Sequence, residues 1–257
     1  MDAIRDEEVA RILKDLREKS ADPERRAELE RREEEQREAK IAELMGRSEI
    51  PKKYLPKSFD TFVVTKANAA ALKACREYVQ EWQDRRNAQG IALFGDIGVG
   101  KTHLAIAVMK ELITRYHVPA RYANVLHTFE RAKWSFDSDG TNPIPPLLSC
   151  PFLVLDDLGS ERPTSWTLSQ VLLIVDYRQG EELPMLITSN ATNWSGLMNM
   201  LTLKVKGHTE SLEHLALPVN RAIDRLREGL GAPLVIKGKS WRGRQPRSGA
   251  GGDDKQQ

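Results

Sequence analysis

The chain has 257 residues, 40% hydrophobic and 30% charged, and its 39 Lys+Arg against 37 Asp+Glu leave a net charge of +2. That size and balance fit one mixed α/β domain with an extension, and they exclude nucleic-acid binding through the overall field, leaving it to local patches. No apolar run approaches the roughly 20 residues of a membrane helix, and Met1-Asp2-Ala3-Ile4-Arg5 lacks the apolar core of a signal peptide. The 2 cysteines, Cys75 and Cys150, stand far apart with no histidine at ligand spacing. Buried free thiols in a cytoplasmic protein without membrane association are therefore expected.

Residues 1–50 are a region apart, with about half the positions charged and both signs interleaved. Val9, Ile12, Leu13 and Leu16 form a short helical stripe. Asp22 and Pro23 read as a cap and first residue of a second helix, and Gly46 suits its end. Such a helix buries little by itself, so it is either a solvated tail or a partner-binding module. From Ile50-Pro51 the pattern is that of a globular domain, 51–242. An amphipathic segment, Leu72/Cys75/Val79/Trp82, precedes 5 β-like runs: Ile91–Phe94, Ala120–Asn124, Phe152–Leu155, Pro184–Thr188 and Pro233–Ile236. Helical stretches such as Leu104/Val108/Leu112 lie between them, which predicts a three-layer α/β fold with a parallel sheet. Asp137 to Pro146 reads as a loop, and Asn199 to Leu217 fits no clear element and resembles an insertion. After Trp241 the composition turns to Arg, Gly and Ser, predicting a disordered tail over 243–257.

The strongest chemical signal is Gly95-Asp96-Ile97-Gly98-Val99-Gly100-Lys101-Thr102, a G-x-x-x-x-G-K-[ST] P-loop between an apolar strand and an amphipathic helix. Glycines there let backbone N–H groups close around phosphate oxygens at a helix N-terminus. Lys101 is expected to reach the β- and γ-phosphates of ATP, and Thr102 to ligate Mg²⁺. Phe152-Leu153-Val154-Leu155-Asp156-Asp157 brings two carboxylates to the carboxyl edge of the sheet. Asp156 suits the Mg²⁺ through its water shell, and Asp157 suits the water that attacks the γ-phosphate. Asn190, ending Met185-Leu186-Ile187-Thr188-Ser189-Asn190, is positioned to hold that water. In order, the three motifs describe an ATP hydrolase.

With these residues in view, the chain resembles the bacterial helicase-loader AAA+ ATPases of the DnaC, DnaI and IstB family. The likeness spans about residues 48–242 and is carried by Ile50-Pro51-Lys52-Lys53-Tyr54, Phe59-Asp60-Thr61-Phe62 and Gly100-Lys101-Thr102-His103-Leu104-Ala105. Leu155-Asp156-Asp157-Leu158-Gly159-Ser160-Glu161, Asp176-Tyr177-Arg178 and Leu186-Ile187-Thr188-Ser189-Asn190 extend it. The resemblance implies an AAA+ fold with strand order 5-1-4-3-2, self-association, and ATP held between subunits, with His103 continuing the nucleotide-binding loop. It gives Arg225, in Asn220-Arg221-Ala222-Ile223-Asp224-Arg225-Leu226, the role of an arginine finger. Arg242, in Ser240-Trp241-Arg242, becomes a second sensor. Single-stranded DNA is the other implied ligand. Phe129, Arg131, Lys133, Trp134 and Phe136 mix rings with cations, as stacking on bases requires, and at least one ring should be exposed. Lys133 and Phe136, with Trp166 after the acidic strand, are the expected contacts, and Lys237, Lys239, Arg244 and Arg247 add charge.

Three features depart from the family pattern. The second acid is Asp157 rather than Glu, the N-terminal region lacks zinc-binding cysteines, and residues 191–217 lengthen the segment before Arg225. The resemblance implies an ATP-dependent loader that grips a hexameric replicative helicase through residues 1–50. The alternatives are an IstB-type transposition helper acting with a transposase on duplex DNA, and an adaptor that binds ATP without hydrolysing it.

Overall fold

The computed structural model describes residues 23–84, 89–137, 140–160, 164–203 and 212–241. The chain divides into two units, Met1–Arg47 and Ser48–Gln257. In the first, helix α1 (Pro23–Arg47) starts at the proline marked in the sequence and carries Glu24 in its first turn and Arg47 in its last, both favourable to the helix dipole. Pairs at helical spacing line it, including Arg32–Glu28 at 2.6 Å and Arg47–Glu43 at 3.0 Å. These are solvated pairs, each contributing about 0.3–0.5 kcal/mol. The stripe at Val9–Leu16 lies outside the described residues.

In the second unit the apolar runs become five parallel strands: β1 (Ile91–Gly95), β2 (Ala120–Asn124), β3 (Phe152–Asp156), β4 (Met185–Ser189) and β5 (Leu234–Ile236). Their order, β2-β3-β4-β1-β5, is the expected 5-1-4-3-2 viewed from the other edge. The registers Leu93↔Thr188 and Leu155↔Ile187 bring the ends of β1, β3 and β4 to one edge. Strands β1, β3 and β4 are buried throughout, as in a sheet covered on both faces.

Helix α2 (Ala69–Gln80) buries Leu72, Cys75 and Val79 of the expected stripe, and its fourth member, Trp82, lies past the helix end in a short 3-10 turn. The helix packs on α3 (Lys101–Tyr116), whose Ala105, Ile106, Ala107, Val108 and Met109 are all fully buried. A helix segment apolar on every side, as over Leu104–Met109, sits between layers. Thus α3 lies between α2 and the middle of the sheet, while α2 itself reaches β5 and the Phe152 ring of β3. The opposite face carries α4 (Val125–Asp137), α6 (Ser165–Gly180), α7 (Trp194–Leu203) and α8 (Leu212–Leu230). Their apolar residues join Ala92, Phe94, Leu153, Leu155 and Ile187 in one core. Short α5 (Pro145–Ser149) closes the stretch after α4, so the expected loop is shorter than Asp137 to Pro146. The expected insertion is largely helical among the described residues: α7 runs to Leu203 and α8 begins at Leu212. Leu201 is buried in the core and Met200 packs against it, a placement that the mixed composition of 199–217 obscures. The expected disordered tail lies outside the described residues.

Two close approaches fix the ends of β1 and its loop. Gly95 has φ +142, and a Cβ there would stand 2.2 Å from the Ile236 carbonyl of β5. Gly100, at φ +105, would drive a Cβ to 2.8 Å from the Phe62 ring. Only glycine fits either place.

Candidate active site

The loop Gly95–Gly100 joins β1 to α3 at the carboxyl edge of the sheet, where the start of α3 directs backbone N–H groups outward. A cavity of about 1360 Å³ opens there. Gly98, Gly100, Lys101, Thr102, His103, Ile97, Asp156, Asp157 and Asn190 line it together. Asp96 is exposed, whereas Val99 is buried behind the loop and does not face this cavity.

Lys101 is buried to 7% exposure, and its Nζ donates to the Gly95 carbonyl, the Asp96 carbonyl and Asn190 Oδ1, each at 2.8 Å. A buried ammonium needs such acceptors, and here two of the three belong to the Gly95–Gly100 loop itself. Asn190 in turn donates Nδ2–H to Asp157 Oδ1 at 3.0 Å. One amide therefore joins the P-loop lysine to the acid that follows β3.

Asp156 is more deeply held, at 2% exposure. Its Oδ1 accepts from Thr102 Oγ1 at 2.8 Å and from Thr188 Oγ1 at 2.7 Å, and its Oδ2 accepts from Tyr122 at 2.7 Å. Burial, followed by the Asp156 charge and hydrogen bond, pushes the Tyr122 phenol far above its ordinary range, so it serves as a fixed donor. Asp157 turns out of the strand in the left-handed region, φ 65, and its N–H donates to Thr188 Oγ1 at 2.8 Å. That twist aims consecutive acids at different tasks, Asp156 toward Thr102 and Asp157 toward the open cavity. A hydroxyl beside a carboxylate is an all-oxygen donor set suited to a hard divalent cation. Both Asp156 oxygens already accept hydrogen bonds, which fits contact through the cation's water shell.

Tyr122, Thr188 and Phe62 escaped the sequence reading as site residues. Tyr122 occupies an inward position in Ala120–Asn124, and a phenol in a short buried strand was the available signal. Phe62 meets His103 edge to face, with centroids 5.1 Å apart, and lines the cavity. His103 Nε2 lies 2.8 Å from the Ser58 carbonyl and 3.2 Å from Thr61 Oγ1. Burial foremost, with Lys57 and Lys110 adding and the Ser58 carbonyl opposing, pulls its pKa below 6.5. On the far wall Trp241 donates its backbone N–H to the Gly98 carbonyl at 3.0 Å and lines the same cavity.

Arg225 does not line this cavity. It stands on α8 with Nε 3.3 Å from Asp176 Oδ1, and its side chain is 43% exposed. Among the rings near α4, Phe129 is a core residue whereas Trp134 is 68% exposed, so the expectation of at least one exposed ring holds. Trp166 is partly buried, edge-on to Phe129 at 6.0 Å, with Lys133 Nζ 5.4 Å from its ring centre. Trp166 and Lys133 thus lean on each other rather than standing free. The Phe136 side chain and Arg242 lie outside the described residues.

Arg178, quoted above only as part of a motif, is fully buried. Its Nη1 donates to the carbonyls of Leu147 at 2.9 Å and Cys150 at 2.8 Å, and its Nη2 to Pro184 at 2.6 Å. It is a clamp on the amino edge of the sheet.

The family model described as IstB-like ATP binding protein matches residues 17–204. The chain belongs to the IstB-like ATP-binding family. This IstB-like chain is 26% identical over 226 residues to the replicative helicase loader DnaC of Escherichia coli (strain K12), covering 86% of this chain and 82% of DnaC. It is 30% identical over 165 residues to the phage-like element PBSX protein XkdC of Bacillus subtilis (strain 168), covering 60% of this chain. It spans 62% of XkdC and 51% of the B. subtilis replicative helicase loader DnaI, so part of each of those relatives has no counterpart in the match. The crystal structure of DnaI superposes with a TM-score of 0.60 at 26% identity, over 76% of this chain and 95% of that one. The DnaC helicase loader gives 0.57 at 26%, over 73% and 100%. AMPPCP-bound DnaA from Aquifex aeolicus, at 18% identity and 0.53 over 71% and 50% of the two chains, shares the AAA+ fold. Among the described residues no helix is long and apolar enough to cross a membrane.

Proposed function

We propose that this IstB-like protein is an ATP-hydrolysing loader that grips a hexameric replicative helicase and delivers it onto single-stranded DNA. The observation that carries the reading is the match to the loader DnaC over 86% of this chain and 82% of that one. The site chemistry supports the ATPase part. The loop amides and Lys101 receive the phosphates, with Lys101 exchanging its carbonyl partners for phosphate oxygens. Thr102 and, through water, Asp156 hold Mg²⁺, which supplies charge neutralisation on the phosphates. Asn190 orients the attacking water, and Asp157 accepts its proton as the bond to the γ-phosphorus forms and the β–γ bridge breaks. Arg225, outside its own cavity, acts on the nucleotide of an adjacent subunit in a self-associated array. Residues 1–50 are the helicase-binding module, 51–242 the ATPase domain and 243–257 a tail. Trp134, with Lys133, Phe136 and Trp166, forms the surface for single-stranded DNA. ATP binding favours the assembled state, and hydrolysis releases it.

Light scattering tests the loader reading. Full-length protein with MgATP should form a stable complex with the host's hexameric helicase, and a 51–257 truncation should not. No complex with either form sinks the proposal and turns the search to a transposase on duplex DNA. A complex without phosphate release keeps the partner and removes the enzyme.

A further inference from the structure

We propose that Asp176 is the positioning residue that presents Arg225 to the nucleotide of a neighbouring subunit; this rests on the reading of Arg225 as a finger. Helices α6 and α8 share one core, with Val171, Ile174 and Val175 of the first among Val219, Ala222 and Leu226 of the second. Beside that seam, Asp176 of α6 faces two successive turns of α8. Its Oδ2 takes Arg221 Nη2 at 2.8 Å, and its Oδ1 meets Arg225 Nε at 3.3 Å.

The two contacts differ in kind. Arg221 makes an ion pair at full hydrogen-bond distance, while Oδ1 receives no aligned hydrogen bond, so Arg225 is held there by charge. One carboxylate thus serves two guanidinium groups and grips the more C-terminal one loosely. The other partner of Arg225, Glu228 at 3.3 Å, lies one turn away on the same helix and is 67% exposed. A solvated pair within one helix contributes little and moves with it. Asp176 instead belongs to the helix after β3, so it fixes where the guanidinium stands relative to the sheet. Nε is taken, and Nη2 has no partner among the described residues. A planar fork held by charge at Nε and by Glu228 at Nη1 keeps Nη2 for a phosphoryl oxygen. Prior anchoring removes freedom that an unanchored arginine would lose at each encounter, and the loose contact lets it transfer.

Subunit mixing separates this role from a structural one. Full-length subunits carrying Lys101→Ala supply a finger but hydrolyse ATP only at a small residual rate. Subunits carrying Arg225→Ala hydrolyse ATP only when a neighbour supplies the finger. With saturating MgATP the mixture should release phosphate faster than either component. Adding Asp176→Asn to the Lys101→Ala subunit should cut the mixture's kcat about tenfold, with KM for ATP unchanged. Asp176→Glu in that subunit should restore most of the rate. The same substitution placed in the Arg225→Ala subunit should change nothing. Equal rates with and without Asp176→Asn in the finger-supplying subunit overturn the proposal, as does an equal loss from either subunit. A mixture no faster than its parts overturns the finger reading itself, so the two failures are told apart.

Discussion

Each edge of the sheet holds a buried cation that donates to main-chain carbonyls, and the two have opposite characters. At the carboxyl edge Lys101 rests on Gly95 and Asp96 carbonyls in a cavity open to solvent, with Asn190 and Asp157 beside it. At the amino edge Arg178 spans the carbonyls of Leu147, Cys150 and Pro184, just ahead of β3 and β4, and is sealed. Burial pulls the Arg178 pKa below its ordinary value, opposed by contact with Cys150, but an arginine stays charged. Carbonyl-satisfied charge is therefore not a mark of function by itself. What separates the edges is whether a competing anion can reach the cation and whether acids stand near enough to act on what it binds.

The largest effect is expected at Lys101. Replacement by Ala should cut ATP hydrolysis by about 10²–10³-fold, the loss typical of removing one preorganised charge-stabilising donor. The melting temperature should hold steady, and a variant that hydrolyses ATP normally would show that Lys101 is a clamp like Arg178. The reverse is expected for Arg178→Met. It should cost about 3 kcal/mol by denaturant unfolding, because several buried carbonyls lose their donor. Nucleotide affinity of the remaining folded protein should be unaltered; equal loss of both properties would erase the distinction between edges.

Smaller effects are expected at Tyr122 and His103. Tyr122→Phe removes one of three donors to Asp156 and should cost about 1.5 kcal/mol, with weaker Mg²⁺-dependent ATP binding by calorimetry. An effect on stability alone would make the phenol a clamp. For His103, whose folded pKa lies below 6.5, the neutral ring is the form the fold prefers. Its contribution is present above pH 6.5 and is lost as pH falls from there through the folded value. Melting temperatures measured downward from pH 7 should decline less steeply in His103→Gln.

Much of this was legible in the sequence because local rules and tertiary demands agree there. Apolar runs between turn-forming residues become strands at nearly their predicted bounds, and Gly95 to Thr102 needs its glycines and lysine for reasons written in the motif itself. The order of the strands came only with the family resemblance, since periodicity does not choose neighbours. The rings around α4 were harder. Phe129 and Trp134 look alike in sequence, and only packing against Trp166 separates a core ring from one that is 68% exposed. Tyr122 and Arg178 stayed hidden because their partners are 34 and 28 residues distant, at Asp156 and Cys150. Asp176 and Arg225 likewise meet only once α6 and α8 pack together.

The tie between Trp241 and Gly98 also gives the protein an optical label of its own. The chain has 5 tryptophans, and Trp241 is the one whose residue lines the cavity beside the Gly95–Gly100 loop. Its peptide N–H is bonded to Gly98 of that loop, so nucleotide bound there should give this indole different surroundings. With Trp134 replaced by Phe to remove the most exposed emitter, a shift in emission would follow nucleotide arrival and departure in real time, without any dye attached.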